Sequence, residues 1–243
     1  MALVAVSGVG RKPVLFLVVM AVVLISIVYY STHREITDPQ VLIAKTVDAA
    51  GVVDSYKFEL TTALTLPEGE VVMLSGSGCV DYQAQKMRTA MTMMNRSVEM
   101  ILINDTAYVS ESPGAWRCED VMDRSIWTSS YDQLAQQRSI LSNATNVTMR
   151  ADDEAWIVEI VPNRNDMLAQ INGTGLALRG DEELQGFAIT YRIERGTFYI
   201  TDIENRIELL LNIQGLVTPI EVNSTIRLYD YNEALVIEAP VGR

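Results

Sequence analysis

Between Tyr56 and Val109, apolar and polar residues alternate in short runs set off by turn formers. The runs are 56–65 (YKFELTTALT), 70–80 (EVVMLSGSGCV), 86–94 (KMRTAMTMM), 98–104 (VEMILIN) and 106–111 (TAYVSE). Their two-residue period is that of strands, whose successive side chains point to opposite faces. LPEG, the stretch Asp81–Gln85, Asn95-Arg96 and Asp105 separate them, so the pattern predicts a continuous antiparallel ribbon. The third run puts Met87, Thr89, Met91 and Met93 on one face. Upstream the period lengthens to that of a helix. Asp38-Pro39 supplies an N-cap and a first-turn proline, Leu42, Ile43, Thr46, Val47 and Ala50 make one stripe, and Gly51 closes it. This helix is expected to pack on the sheet that follows.

After the ribbon, PGAWRCED turns at Pro113-Gly114 and resumes as a short strand through Trp116, and 119–130 is irregular. A helix is predicted for Tyr131–Ser142, with Tyr131, Leu134, Arg138 and Leu141 on one side. Strands follow at 146–151 and 154–161, joined by a tight acidic turn at Asp152-Asp153. A short helix at Asn165–Ile171 ends in NGTGL, and strands return at 186–194, 197–203, 206–213 and 219–229. A doubly wound parallel sheet needs many more helices. The fold class is therefore mainly β (α+β): one large curved antiparallel sheet with a few covering helices.

Val14–Tyr30 interrupts this pattern with 17 residues free of charge. At about 1.5 Å per residue it just spans a hydrocarbon core. Arg11 and Lys12 precede it, and Tyr29-Tyr30 stand where interfacial aromatics belong. A cleaved signal peptide is the rival reading, but no A-x-A-like site follows the apolar run. The expected organisation is a cytoplasmic tail (1–13), a transmembrane helix (14–30), a tether (31–37) and an extracytoplasmic β domain (38–243).

A net charge of −12 and a pI near 4.5 leave no basic stripe for phosphates, which excludes nucleic acid as a partner. N-x-[ST] sequons occur at Asn95, Asn104, Asn143, Asn146, Asn172 and Asn223. With eleven asparagines and 33 Ser plus Thr among 243 residues, chance gives only one or two, so a glycosylated outer surface is expected. In that compartment Cys79 and Cys118 are expected to form one disulfide, a pair of free thiols being the alternative.

Several soft features fall in a telling order. Asp54-Ser-Tyr-Lys-Phe58 leads into the first strand, Ser75-Gly-Ser-Gly78 lies in the second, and Lys86-Met87 opens the third. A tryptophan turn near Trp116, a helix before the VTMRADDEAWIVEIVP hairpin, and Tyr229-Asp-Tyr-Asn232 with Ile237-Glu-Ala-Pro240 complete the series. The chain resembles the LolA-like family of half-barrels, which includes LolA, LolB and related lipid-binding lipoproteins, over residues 38–240. The resemblance implies an unclosed antiparallel barrel whose concave apolar face is covered by helices and holds acyl chains. It implies lipid or a lipoprotein as partner, whereas engagement of the membrane is expected from the apolar run Val14–Tyr30 alone. It brings no residue-specific ligand site, and the anchor departs from the family's soluble carriers.

Chemistry-bearing motifs are scarce. The single histidine is His33, beside the apolar run, so Ser-His-Asp and Cys-His sites are excluded from the domain. Zinc, Walker A and dinucleotide motifs are missing from the sequence. Ser75-Gly-Ser-Gly78 reads as close strand packing or a bulge. Acidic clusters at Glu119/Asp120/Asp123, Asp152/Asp153/Glu154 and Asp181/Glu182/Glu183 lie in turns, where carboxylates are commonly just solvated. No catalytic residue, metal or cofactor is expected, and the protein is read as a non-enzyme. Met73, Met87, Met91, Met93, Met94 and Met100 fall within 28 residues. Methionine is flexible and polarisable, which suits a surface that must adapt to an apolar ligand. Met73, Met87, Met91, Met93 and Met100 are the candidate groove wall. Ordinary core packing is the competing account of them, and an envelope sensing module with a filled groove is the competing function.

Overall fold

The computed structural model describes residues 20, 36–66, 69–94, 96–112, 114–120, 132–162, 182–213 and 216–240. The expected anchor (apart from Met20), the expected helix at 165–171 and the sequons Asn95 and Asn172 lie outside them. Among the described residues, no helix is long and apolar enough to cross a membrane. Pro39–Arg243 form one compact unit.

That unit starts with helix α1 (Pro39–Gly51), followed by β1 (Ser55–Leu66), β2 (Gly69–Asp81), β3 (Lys86–Met93), β4 (Arg96–Ile103), β5 (Thr106–Ser112) and β6 (Arg117–Asp120). Helix α2 (Gln133–Ser142) then leads to β7 (Val147–Ala151), β8 (Ala155–Ile160), β9 (Glu182–Glu194), β10 (Ile200–Ile213) and β11 (Leu216–Tyr229). All eleven strands form one sheet in the order β6-β5-β4-β3-β2-β1-β11-β10-β9-β8-β7. The chain meanders outward from β1 to one edge, restarts at the opposite edge, and meanders back until β11 pairs antiparallel with β1. The edges β6 and β7 are not joined, so the barrel is unclosed.

Two strand assignments change. Arg117–Asp120 pairs with β5, extending the ribbon by a sixth strand. The runs expected at 197–203 and 206–213 are one strand, β10, with Glu204 opposite Thr225 and Asn205 opposite Ser224. Glu and Asn read locally as a break, but β10 is paired on both sides and that tertiary context overrides their weak strand preference.

Helix α2 is capped by Asp132, whose carboxylate accepts the Ala135 N–H at 3.0 Å. It buries Gln133, Leu134, Gln137 and Leu141, while the expected Arg138 is exposed and lies beside Gly51. Gln137 faces inward because its Oε1 accepts the hydroxyl of buried Tyr191 at 2.8 Å. Tyr56 donates to Asp132 at 2.8 Å and accepts from the Leu134 N–H at 3.2 Å, so α2 lies across the face carrying Tyr56 and Tyr191. Helix α1 buries Leu42, Ile43, Thr46 and Ala50, and packs against α2 and β7. The covered face is apolar along whole cross-strand rows. Leu60, Ile226, Ile203, Tyr191 and Val158 are successive partners on five strands, and all are buried.

Strand directions give the sheet two ends. At one lie Ser55, Asp81, Lys86, Ile200 and Tyr229; at the other lie the β1–β2, β3–β4 and β10–β11 hairpin tips. The C-terminal segment stitches the first end shut. The Asn232 N–H donates to Ser55 O at 2.8 Å, its Oδ1 accepts the Asp54 N–H at 2.8 Å, and Ser55 Oγ donates to Glu233 O at 2.6 Å. Tyr231 stacks on Tyr199 at 4.5 Å and donates to Ile200 O at 2.6 Å. Lys57 pairs with Asp230 at 2.7 Å, and the Asp230 carboxylate holds the ammonium above its ordinary range.

Candidate functional site

Register places the inner-face residues of β1–β5 in four rows. The first is Tyr56, Val80, Met87, Leu102 and Ala107; the second is Phe58, Gly78, Thr89, Met100 and Val109. The third is Leu60, Gly76, Met91 and Val98, and the fourth Thr62, Leu74 and Met93. Met87, Met91, Met93 and Met100 thus share one face. Met73 does not: Thr62 pairs with Leu74 and Ala63 with Val72, leaving Met73 as the extra residue of a β-bulge. Its carbonyl accepts the Met94 N–H at 3.1 Å, tying the bulge to the β3–β4 turn.

Burial falls steadily along this methionine wall. Met87 is fully buried, Met100 is 8 % exposed, Met91 is half-buried, and Met93 is 52 % exposed at the hairpin end. Met87 and Met100 are therefore core residues, as the competing account holds, whereas Met91 and Met93 face accessible space. The glycines of β2 shape the same wall. A Cβ on Gly78 would lie 2.6 Å from both Arg88 O and the Phe58 ring, so that glycine lets the Phe58 ring lie against β2. A Cβ on Gly76 would collide with Met91 Sδ, so the thioether lies over bare backbone. Close strand packing is the use expected of Ser75-Gly-Ser-Gly78, with the bulge at Met73 just before it.

One polar row crosses this apolar face and was not legible in the sequence. Thr62 and Ser224 are buried cross-strand partners with their hydroxyls 2.9 Å apart, and Asn205 is the next residue in the row. Asn205 Oδ1 is buried and has no hydrogen-bond partner among the described residues. Alternation with Ile203 and Ile207 is the signal that places it inward. The gap left between the strands expected at 197–203 and 206–213 hid that signal.

Both cysteines are free, which corrects the expected disulfide. Cys79 and Cys118 do share a cross-strand row, but Arg88, Ile101 and Tyr108 of β3, β4 and β5 stand between them. Four strand spacings amount to about 19 Å, far beyond the reach of an S–S bond. Burial pushes the Cys79 thiol up, away from the reactive thiolate form. Of the acidic clusters only Asp152/Asp153/Glu154 has described side chains, those of the other two lying outside the described residues, and it does not assemble a site. Asp152 accepts the N–H groups of Ala155 at 2.6 Å and Glu154 at 2.9 Å and pairs with Arg192 at 2.9 Å, which together lower its pKa. It is a turn former. Among the described residues, no three acidic, histidine or cysteine side chains converge as metal ligands. A hollow of about 490 Å³ lies on the outer face between Glu159, Thr190, Glu204, Arg206, Glu221 and Asn223. It is polar and partly filled by ion pairs from Arg206 to Glu208 and Glu221, both at 3.1 Å. Of the described sequons, Asn104, Asn143 and Asn146 are exposed, and Asn223 is half-buried and donates to Glu221 at 2.9 Å.

An open antiparallel half-barrel with helices over its apolar face is the LolA-like architecture expected from the sequence. Among solved structures, LprF from Mycobacterium bovis superposes with a TM-score of 0.52 at 14 % identity, covering 84 % of this chain and 97 % of that one. Lipoprotein LppX from Mycobacterium tuberculosis gives 0.49 at 12 % identity over 82 % and 98 % of the two chains. A LolA superfamily protein from Nitrosomonas europaea gives 0.31 at 11 % over 83 % and 96 %. The likeness is one of fold and rests on LprF, the other two superposing too loosely to carry an argument. No family model matches the chain, and no curated protein matches its sequence.

Proposed function

We propose that this chain is a membrane-anchored, extracytoplasmic half-barrel that holds a lipid or another long apolar ligand against its inner face, without covalent chemistry. One observation carries the reading. Apart from the row Thr62, Ser224 and Asn205, the inner face is mainly apolar from β8 across to β5, and its methionine row runs from sealed core at Met87 to accessible surface at Met93. An acyl chain laid along such a wall gains about 0.8 kcal/mol for each buried methylene. The fold shared with LprF and the apolar run Val14–Tyr30 support the reading, as do the exposed sequons Asn104, Asn143 and Asn146. Met91 and Met93 are the wall residues a ligand would touch, with Met87 and Met100 as the packing behind them.

The test uses residues 38–243, which include the compact unit. Delipidated protein is titrated with a fluorescent fatty acid, and native preparations are extracted for mass spectrometry. Saturable binding at one site, together with recurrent co-purified lipid, is the expected result; failure of both overturns the proposal. A second reading, a sensing or interaction module with a filled groove, is favoured by the stitched end. There Tyr56, Phe58, Met87 and Leu102 are buried, and Tyr56 is hydrogen-bonded to helix α2, which itself buries Leu134 and Leu141. It predicts no ligand binding and an unchanged melting temperature with fatty acid present.

A further inference from the structure

The exposed apolar side chains of this molecule are not scattered. Twelve large hydrophobic residues are exposed among the described ones, and seven of these lie at the hairpin end of the sheet. The most prominent are Val71 and Val72 beside the β1–β2 tip, Met93 and Met94 on the β3–β4 tip, and Leu216 and Val217 on the β10–β11 tip, between 51 % and 74 % exposed. In a chain that carries −12, two stretches at these tips lack charge, although Glu70 stands beside Val71 and Arg96 opposite Met93. Leu209 to Ile220 contains no Asp, Glu, Lys or Arg, and neither does Thr89 to Asn95. Single exposed hydrophobics need no explanation, but a clustered set does.

We infer that this rim docks on a phospholipid bilayer surface, with the β3–β4 and β10–β11 tips entering the headgroup region. Three features select lipid over a protein partner. The apolar residues sit on separate hairpin tips, so a folded partner would need a matching socket for each, whereas an interface of mobile lipids accepts any spacing. The stretches Thr89–Asn95 and Leu209–Ile220 carry no charge that would have to be dehydrated, and the acidic remainder would be repelled by anionic headgroups, which points to a zwitterionic surface. Finally, Val14–Tyr30 is joined to α1 by only Ser31–Asp38. At roughly 3.5 Å per extended residue that link spans less than about 30 Å, keeping the folded unit near lipid. This last point rests on the proposed anchor; the first two do not. The rim is also where the methionine wall opens, so docking would set the mouth of the proposed groove against the lipid phase.

The test uses the full chain reconstituted into phosphatidylcholine vesicles. Leu216→Cys, Met94→Cys and Val236→Cys are each made in a Cys79→Ser/Cys118→Ser background and given a fluorescent label. Val236 is 84 % exposed and lies in the C-terminal segment beyond β11, so it serves as the solvent reference. Docking predicts that labels at 216 and 94 are quenched by doxyl-labelled lipid and lose iodide quenching several-fold relative to 236. Adding Val217→Asp should abolish that protection while leaving the melting temperature unchanged. Equal iodide access at all three positions overturns the inference. So does protection that grows with protein density in the vesicles, which would mean that copies of the chain pair through the rim. Glycopeptide mapping that finds Asn95 occupied also overturns it, because a sugar at that tip would hold the rim off lipid. Alkaline carbonate extraction reports separately on the anchor. A chain that resists extraction but keeps its rim label in water fails only the docking inference. A chain that washes off, yet shows lipid quenching at 216 while bound, fails only the anchor.

Discussion

At one end of the sheet Tyr56 and Tyr82 donate to the same carboxylate of Asp132, at 2.8 and 2.7 Å, while Tyr231 stacks on Tyr199 and the C-terminal segment hydrogen-bonds back to Asp54 and Ser55. At the other end Met93, Met94, Leu216 and Val217 stand in solvent. The same strands build both ends, so strand propensity does not separate them. The difference lies in what crosses the sheet: at the first end helix α2 and a return of the chain hydrogen-bond to Tyr56, Tyr82, Asp54 and Ser55, and at the second the described hairpins simply turn. One end is therefore organised for stability, and the other leaves apolar surface free for work.

The largest expected effect is alkaline. Burial, reinforced at Tyr56 and Tyr82 by the Asp132 carboxylate, raises the pKa values of Tyr56, Tyr82, Tyr191 and Tyr231 far above the ordinary 10. Folded-state values above the unfolded ones mean that this contribution is complete below pH 10 and is lost as pH rises beyond it. In that range the unfolded chain releases protons that the folded chain retains. Each tyrosine then removes up to about 1.4 kcal/mol per pH unit. Urea titrations at pH 8 and above 10 should show a steep fall in stability, with phenolate absorbance appearing together with unfolding. Phenolate absorbance rising fully before unfolding would break the picture of a sealed tyrosine end.

Next comes Asp132→Ala, which strips the α2 cap and leaves two tyrosine hydroxyls without their acceptor. A loss of about 3–5 kcal/mol is expected from the urea midpoint. Asp132→Asn, which keeps an acceptor, should recover part of it. If alanine costs no more than a surface substitution, the stitched end does not depend on this carboxylate. Gly78→Ala tests the wall between the two ends. Its Cβ would meet Arg88 O and the Phe58 ring, both held in place, so overpacking should cost about 1–3 kcal/mol.

The parts of this architecture written in local pattern were legible in the sequence, and the parts decided by partners were not. Strands β1 and β3 and helix α1 show in their periodicity because each buries one face more than the other, and β2, β4 and β5 show through the turn formers that bound them. Strand β10 was split in two because Glu204 and Asn205 read as a break, whereas pairing with β9 and β11 holds them in the ladder. The inward turn of Gln137 depends on the Tyr191 hydroxyl, 54 positions away, which no helical period contains. Cys79 and Cys118 were paired on compartment alone, and only strand order shows three strands between them. For the candidate site, alternation placed Met87, Met91 and Met93 on one face. The bulge that removes Met73 is a property of two strands together. The apolar rim escaped because its residues are far apart in sequence and meet only at the ends of hairpins.

The finest comparison uses one residue type on one strand face. Met87→Ala and Met93→Ala delete the same atoms six positions apart on β3. Met87 is fully buried between Val80 and Leu102, so its truncation leaves a cavity and should cost about 2–4 kcal/mol. Met93 is 52 % exposed and leaves none, so its truncation should change stability by less than about 0.5 kcal/mol. Fatty-acid affinity should respond in the opposite order. On the proposed function, Met93→Ala removes wall surface that the ligand touches and should weaken binding in a protein of unchanged stability; Met87→Ala should destabilise the core while the surviving folded fraction binds normally. Equal costs in stability would mean that the wall has no gradient. Unchanged affinity on Met93→Ala would leave the accessible end of the row as surface alone and move the groove elsewhere on the inner face.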